Sequence, residues 1–162
     1  MEIRRYLRKS IKPEEKVALL GVGSTLRSDD AAGMYFIQLL AGLLQQERTL
    51  LLAGSSAPEN FTGVIKEFAP DKLFIVDAAH MGLLPGEAKI VPADAIGGVS
   101  FATHMLPLPV MLKYLESESG CEVVFIGIQP QCTEQGFSMC EEVKRGTERL
   151  VEDFYVALTQ EA

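Results

Sequence analysis

Short apolar runs alternate along this chain with longer stretches of helical period, and that alternation limits the fold more than any other feature. Val17–Val22 (VALLGV), residues 73–76 (LFIV) and Glu122–Ile128 (EVVFIGI) are each too short for a buried helix. They also lack the every-second-residue polarity of a strand with one wet face. Such runs suit parallel strands buried on both faces. Between them, residues 31–46 present Met34, Ile37, Ala41 and Leu44 on one helical face, and residues 140–159 space Val143, Leu150, Phe154 and Leu158 in the same way. Weaker signals place a strand over 50–53, a short helix over 61–68, an edge strand over Ala88–Val91 and a helix over 108–116. This order predicts an α/β fold: a mostly parallel twisted sheet of about five strands, with helices on both faces.

At 162 residues the chain suits one domain. The first residues differ from the rest: Arg4, Arg5, Arg8, Lys9, Lys12 and Lys16 face only Glu2, Glu14 and Glu15, whereas the whole chain carries a formal charge of −7. Residues 1–15 therefore read as a basic N-terminal extension and residues 16–162 as a single domain. In the extension Ile3, Leu7 and Ile11 form a narrow apolar stripe, which fits a solvated tail or surface helix, or else an arm that docks a partner. The acidic total argues against nucleic acid as a partner. No apolar run approaches a membrane span and the N-terminus lacks a secretory signal, so the expected setting is the cytoplasm. Cys121, Cys132 and Cys140 fit neither a zinc spacing nor an even disulfide framework, and are expected to be reduced.

In open α/β sheets, binding sites lie beyond the carboxyl ends of the strands. Three polar positions fall there: Asp30 in GVGSTLRSDD after the first strand, Asp77 directly after LFIV, and His104 in the loop after AKIV. Two carboxylates and an imidazole suit a borderline divalent metal such as zinc or nickel, with a fourth position open. Singly, each has an ordinary use. Asp29 and Asp30 stand where a helix N-cap and the positive end of the helix dipole favour carboxylates. Asp77 could bond a neighbouring loop, and His104 could be a satisfied, partly buried histidine. His80, three residues after Asp77, competes with His104 for the same role. The glycines of GVGSTLRSDD match neither a dinucleotide fingerprint nor a lysine-bearing phosphate loop, and two carboxylates would repel phosphate.

GVGSTLRSDDAAG (residues 21–33), GSSAPEN (54–60), IVDAAHMGLLPGE (75–87), ATHMLPL (102–108) and FIGIQP (125–130) together resemble the nickel–iron hydrogenase maturation endopeptidases. The likeness is greatest to those serving formate-hydrogenlyase (hydrogenase-3-type) enzymes and spans nearly the whole chain from Lys16. It implies a three-layer α/β/α sandwich and an endopeptidase that removes the C-terminal extension of a hydrogenase large-subunit precursor after nickel insertion. The partner is that precursor, and a monomer is expected. Motif for motif, the resemblance implies that Asp30, Asp77 and His104 bind nickel, with Asp30 or Asp77 as the catalytic carboxylate. The nickel could be held by the enzyme, polarising the scissile carbonyl and its water, or be brought by the substrate, which the family's requirement for prior nickel insertion favours. Ser24, Ala31, Ala53 and Ser55 depart from the usual Asn, Gly, Asp and Gly, and Ala53 removes a third carboxylate. A non-catalytic, metal-dependent checkpoint on the immature subunit is the alternative.

Overall fold

The computed structural model describes residues 2–92, 100–101 and 108–161, with the side chains of 100–101 and 108–112 excepted. Helix α1 (Glu2–Ser10) leads into β1 (Val17–Val22), whose six residues are all buried, as an apolar run between two helical layers must be. A 3-10 turn (Ser28–Ala31) enters α2 (Ala32–Leu43), followed by β2 (Thr49–Ser55). A second 3-10 turn (Pro58–Phe61) opens α3 (Thr62–Phe68), and β3 (Lys72–His80), β4 (Ala88–Val91) and β5 (Ser100–Phe101) follow. Helix α4 (Leu108–Ser119), β6 (Glu122–Ile128) and α5 (Glu141–Thr159) complete the chain.

Five strands pair in the order β2-β1-β3-β6-β4, and the short β5 adds to the end of β3. β2, β1, β3 and β6 are parallel, and the edge strand β4 runs antiparallel to β6. Alternate residues of the strands feed two cores. On one face Leu19, Phe74 and Val76 pack with α1, α2 and α5, where the Phe154 ring meets Phe36 and Phe74 edge-on at 5.2 and 5.1 Å. On the other, Leu20, Leu73 and Ile75 pack with Ile65 of α3 and Leu115 of α4. The result is the expected three-layer sandwich.

Two details differ from the sequence expectation. β3 does not stop at Val76: pairing with β6 carries it through Ala78, and β5 pairs at Ala79 and His80, so Asp77 lies inside the strand. The N-terminal segment, expected as a solvated tail, a surface helix or a docking arm, is a helix whose apolar stripe is covered by the fold. Ile3, Leu7 and Ile11 are buried in the core shared with α5, and Arg4 Nε reaches Asp153 at 2.6 Å. Leu7→Ala is therefore expected to cost about 2–5 kcal/mol, measured by denaturant unfolding. A loss below about 0.5 kcal/mol would mean that α1 is peripheral.

Candidate active site

The strand order turns around β1: the chain leaves β1 for β2 on one side, then passes back to β3 on the other. The crevice between the carboxyl ends of β1 and β3 is thus the topological switch point, where sheets of this kind bind ligands. Glycines let the backbone close tightly there. A Cβ on Gly33, in the first turn of α2, would lie 2.3 Å from the Val22 carbonyl oxygen and 2.4 Å from that of Val76. The helix therefore rests directly on the ends of both strands. At the exit of β1, Gly23 takes φ +140°, and a Cβ there would strike the Asp30 carbonyl oxygen at 1.9 Å. Any side chain at Gly23 would push away the turn that carries Asp30.

Asp30 and Asp77 are both buried. Ser24 N–H donates to Asp30 Oδ2 at 3.1 Å, and the Arg27 guanidinium stands 3.7 Å from the same oxygen. The 3-10 turn holding Asp30 packs against β3, the strand of Asp77. By register Gly21 of β1 pairs with Val76, so Asp77 stands one position further along, level with the last residue of β1. Asp77 also pairs with Gly127 of β6, over which the Met81 side chain and the Ala79 methyl group pack. The structure therefore brings two of the three expected residues to one crevice.

His104 lies outside the described residues. Phe101, three positions before it, pairs with Ala79, two positions after Asp77. His80 is described: it is exposed and ends β3. Because the strand stays extended from Asp77 to His80, the pleat turns these two residues to opposite faces of the sheet, and they do not converge on one ion. Among the described residues no group of three or more His, Cys, Asp or Glu side chains is placed to hold a metal. The two carboxylates supply hard oxygen donors at the crevice, which suits a divalent cation completed by an imidazole. A groove of about 740 Å³ between α1, β4 and α5 lies elsewhere, and neither carboxylate lines it.

Asp29 does not cap α2. Its carboxylate is fully buried and accepts three backbone N–H bonds from the segment after β6: Gln131 and Cys132 on Oδ2 at 2.8 and 2.9 Å, and Cys140 on Oδ1 at 2.8 Å. Its own N–H donates to the Cys132 carbonyl at 2.9 Å. The adjacent acids thus divide their bonds: Asp29 fastens the loop after β6, and Asp30 accepts from the Ser24 amide at the exit of β1. Nothing in the sequence signals this, because the partners lie more than a hundred residues away. The buried Gln129 was likewise missed; its Oε1 accepts N–H bonds from Met81 and Leu83, tying the exit of β3 to that of β6. Burial and the neighbouring Asp29 carboxylate push the Cys140 thiol up, against a smaller lowering by the Val143 amide. Cys140 therefore stays protonated near neutral pH and is ill suited as a nucleophile.

Ser55, which pairs with Val22 directly after the bulge at Gly54, takes φ +54°. Only glycine adopts that conformation without strain. Ser55→Gly is expected to raise stability by about 0.5–1 kcal/mol, the relieved left-handed strain less the added chain entropy of glycine, read from the denaturation midpoint. A destabilised variant would mean that the Ser55 side chain holds the bulge.

Residues 34–156 match the family described as hydrogenase maturation protease, HycI. The hydrogenase 3 maturation protease of Escherichia coli K12 is 37% identical over 131 residues, covering 80% of this chain and 83% of that protein. A [NiFe] hydrogenase maturation protease HycI from Thermococcus kodakarensis KOD1 superposes with a TM-score of 0.87 at 32% identity, over 96% of this chain and 99% of the other. The endopeptidase HycI from Escherichia coli gives 0.75 at 31% identity, over 90% and 99%. The family match spans most of the chain, and the solved structure from Thermococcus kodakarensis covers nearly all of it. The chain belongs to the hydrogenase maturation protease family, a family of endopeptidases.

Proposed function

We propose that this endopeptidase removes the C-terminal extension of a nickel–iron hydrogenase large-subunit precursor after nickel insertion, and that Asp30, Asp77 and His104 meet the nickel carried by that substrate. The observation that supports this most is the pair of buried carboxylates at the switch point between β1 and β3. Two carboxylates beyond the carboxyl ends of adjacent parallel strands lie where a sheet of this kind takes its ligand, and their oxygens suit a divalent cation brought there by the substrate. In this reading the nickel serves to fix the tail in the crevice, and cleavage draws on that positioning. Asp30 or Asp77 takes a proton from the attacking water as it adds to the scissile carbonyl. The amide nitrogen then leaves protonated as the new amine, while the retained chain ends in a carboxylate.

The free thiols of Cys121, Cys132 and Cys140 suit a reducing compartment, and the proposed setting is the cytoplasm. No helix among the described residues is long and apolar enough to cross a membrane. Incubating the protein with nickel-loaded and nickel-free precursor, and weighing the products by mass spectrometry, tests the reading. Shortening only of the loaded precursor is expected. Binding without shortening would make the protein a checkpoint, and equal shortening of both forms would remove nickel from the recognition step.

A further inference from the structure

Leu26 and Phe137 are large apolar residues left 67% and 62% exposed. Scattered surface leucines need no explanation, but these two are neighbours. Gly136 N–H donates to the Leu26 carbonyl at 3.1 Å, and Phe137 follows directly. Both belong to the construction around Asp30. Leu26 lies between Ser24, whose N–H bonds Asp30, and Arg27, which stands beside it. Phe137 sits on the 131–140 loop that the buried Asp29 fastens at both ends. Ser28 Oγ adds a bond to the Ser138 carbonyl. Two chain segments are thus pinned by a buried carboxylate so that they hold apolar side chains in water, at the rim of the crevice. A hydrophobic residue on such a preorganised mount loses little entropy when it is covered, and a few such anchors can dominate a protein interface.

We infer that Leu26 and Phe137 form one docking contact for the polypeptide being cut, covered by an apolar segment of the precursor that lies across the rim next to the scissile bond. This rests on the reading under Proposed function. The occupant follows from continuity: the turn that carries Leu26 also bonds Asp30, so a chain seated at Asp30 and Asp77 lies beside it. A second copy of this chain, or an unrelated partner, would cover the rim and block that access.

The test uses the full chain and nickel-loaded precursor, comparing wild type with Leu26→Ser, Phe137→Ser and, as a control, Leu43→Ser. Leu43 is 59% exposed near the end of α2. The rim variants are expected to raise KM by about tenfold or more each, while the control stays near wild type. In parallel, the inactive Asp77→Asn protein should lose binding to the loaded precursor by a similar factor when Phe137→Ser is added. Unchanged KM and unchanged binding in the rim variants, with wild type active, would overturn the docking contact alone. A fall in kcat with KM unchanged would also overturn it, pointing instead to a disturbed Asp30. Inactive wild type would overturn this inference together with the proposed function.

Discussion

Asp77→Asn is expected to abolish cleavage of the nickel-loaded precursor, by about a thousandfold or more, while leaving a folded protein. The substitution keeps the size of a fully buried side chain inside β3, so neither the strand pairing with β6 nor the flanking core of Ile75 and Ala79 changes. What it removes is a negative charge and a proton acceptor at the switch point. Loss of a general base alone is worth about 10²–10⁴ in rate, and loss of a charge that meets the substrate's cation adds to it. Asp30→Asn should behave alike, because Ser24 N–H can still donate to the amide oxygen. Single-turnover mass spectrometry gives the rate, and circular dichroism checks the fold. A loss below about tenfold for either variant would assign that carboxylate a structural use and place the chemistry elsewhere.

Asp29→Ala is expected to act in the opposite way, through stability. It removes the fully buried acceptor of three part-buried N–H groups, and hydrogen bonds to a charged partner contribute about 1.5–3 kcal/mol each. Because such losses are not additive, about 3–5 kcal/mol in total is expected. At about 2–4 °C per kcal/mol for a chain of this size, the unfolding midpoint should fall by roughly 10 °C. Activity would decline with the fraction folded and return on cooling. A fully stable but inactive Asp29→Ala would contradict the division of labour between the two acids.

The layer architecture was legible because burial on both faces leaves a strong mark on sequence: VALLGV, LFIV and EVVFIGI are all strands of the sheet. The extension of β3 past Asp77 was not legible, since AAH has no strand signature of its own and is held extended by β6 and β5. The burial of α1 was hidden similarly. Ile3 and Leu7 look like a thin stripe until α5, at the other end of the chain, is laid against them. At the site, the strand-end rule led to Asp30 and Asp77 because the switch point depends only on topology. The use of Asp29 escaped it, because an acid before a helix looks like a cap whichever way it turns. Its partners are backbone amides, which no side-chain pattern reveals.

The extended β3 also changes how the two histidines compare. While Asp77 was expected at a strand end, a sharp turn could have brought His80 round to it. The continuous pleat now sets them on opposite faces. The most direct test of the proposed three-residue site is therefore cleavage of nickel-loaded precursor by His104→Ala and His80→Ala, side by side. The account predicts uncut precursor with His104→Ala and the full loss of mass with His80→Ala. Normal cleavage by His104→Ala, with none by His80→Ala, would contradict it.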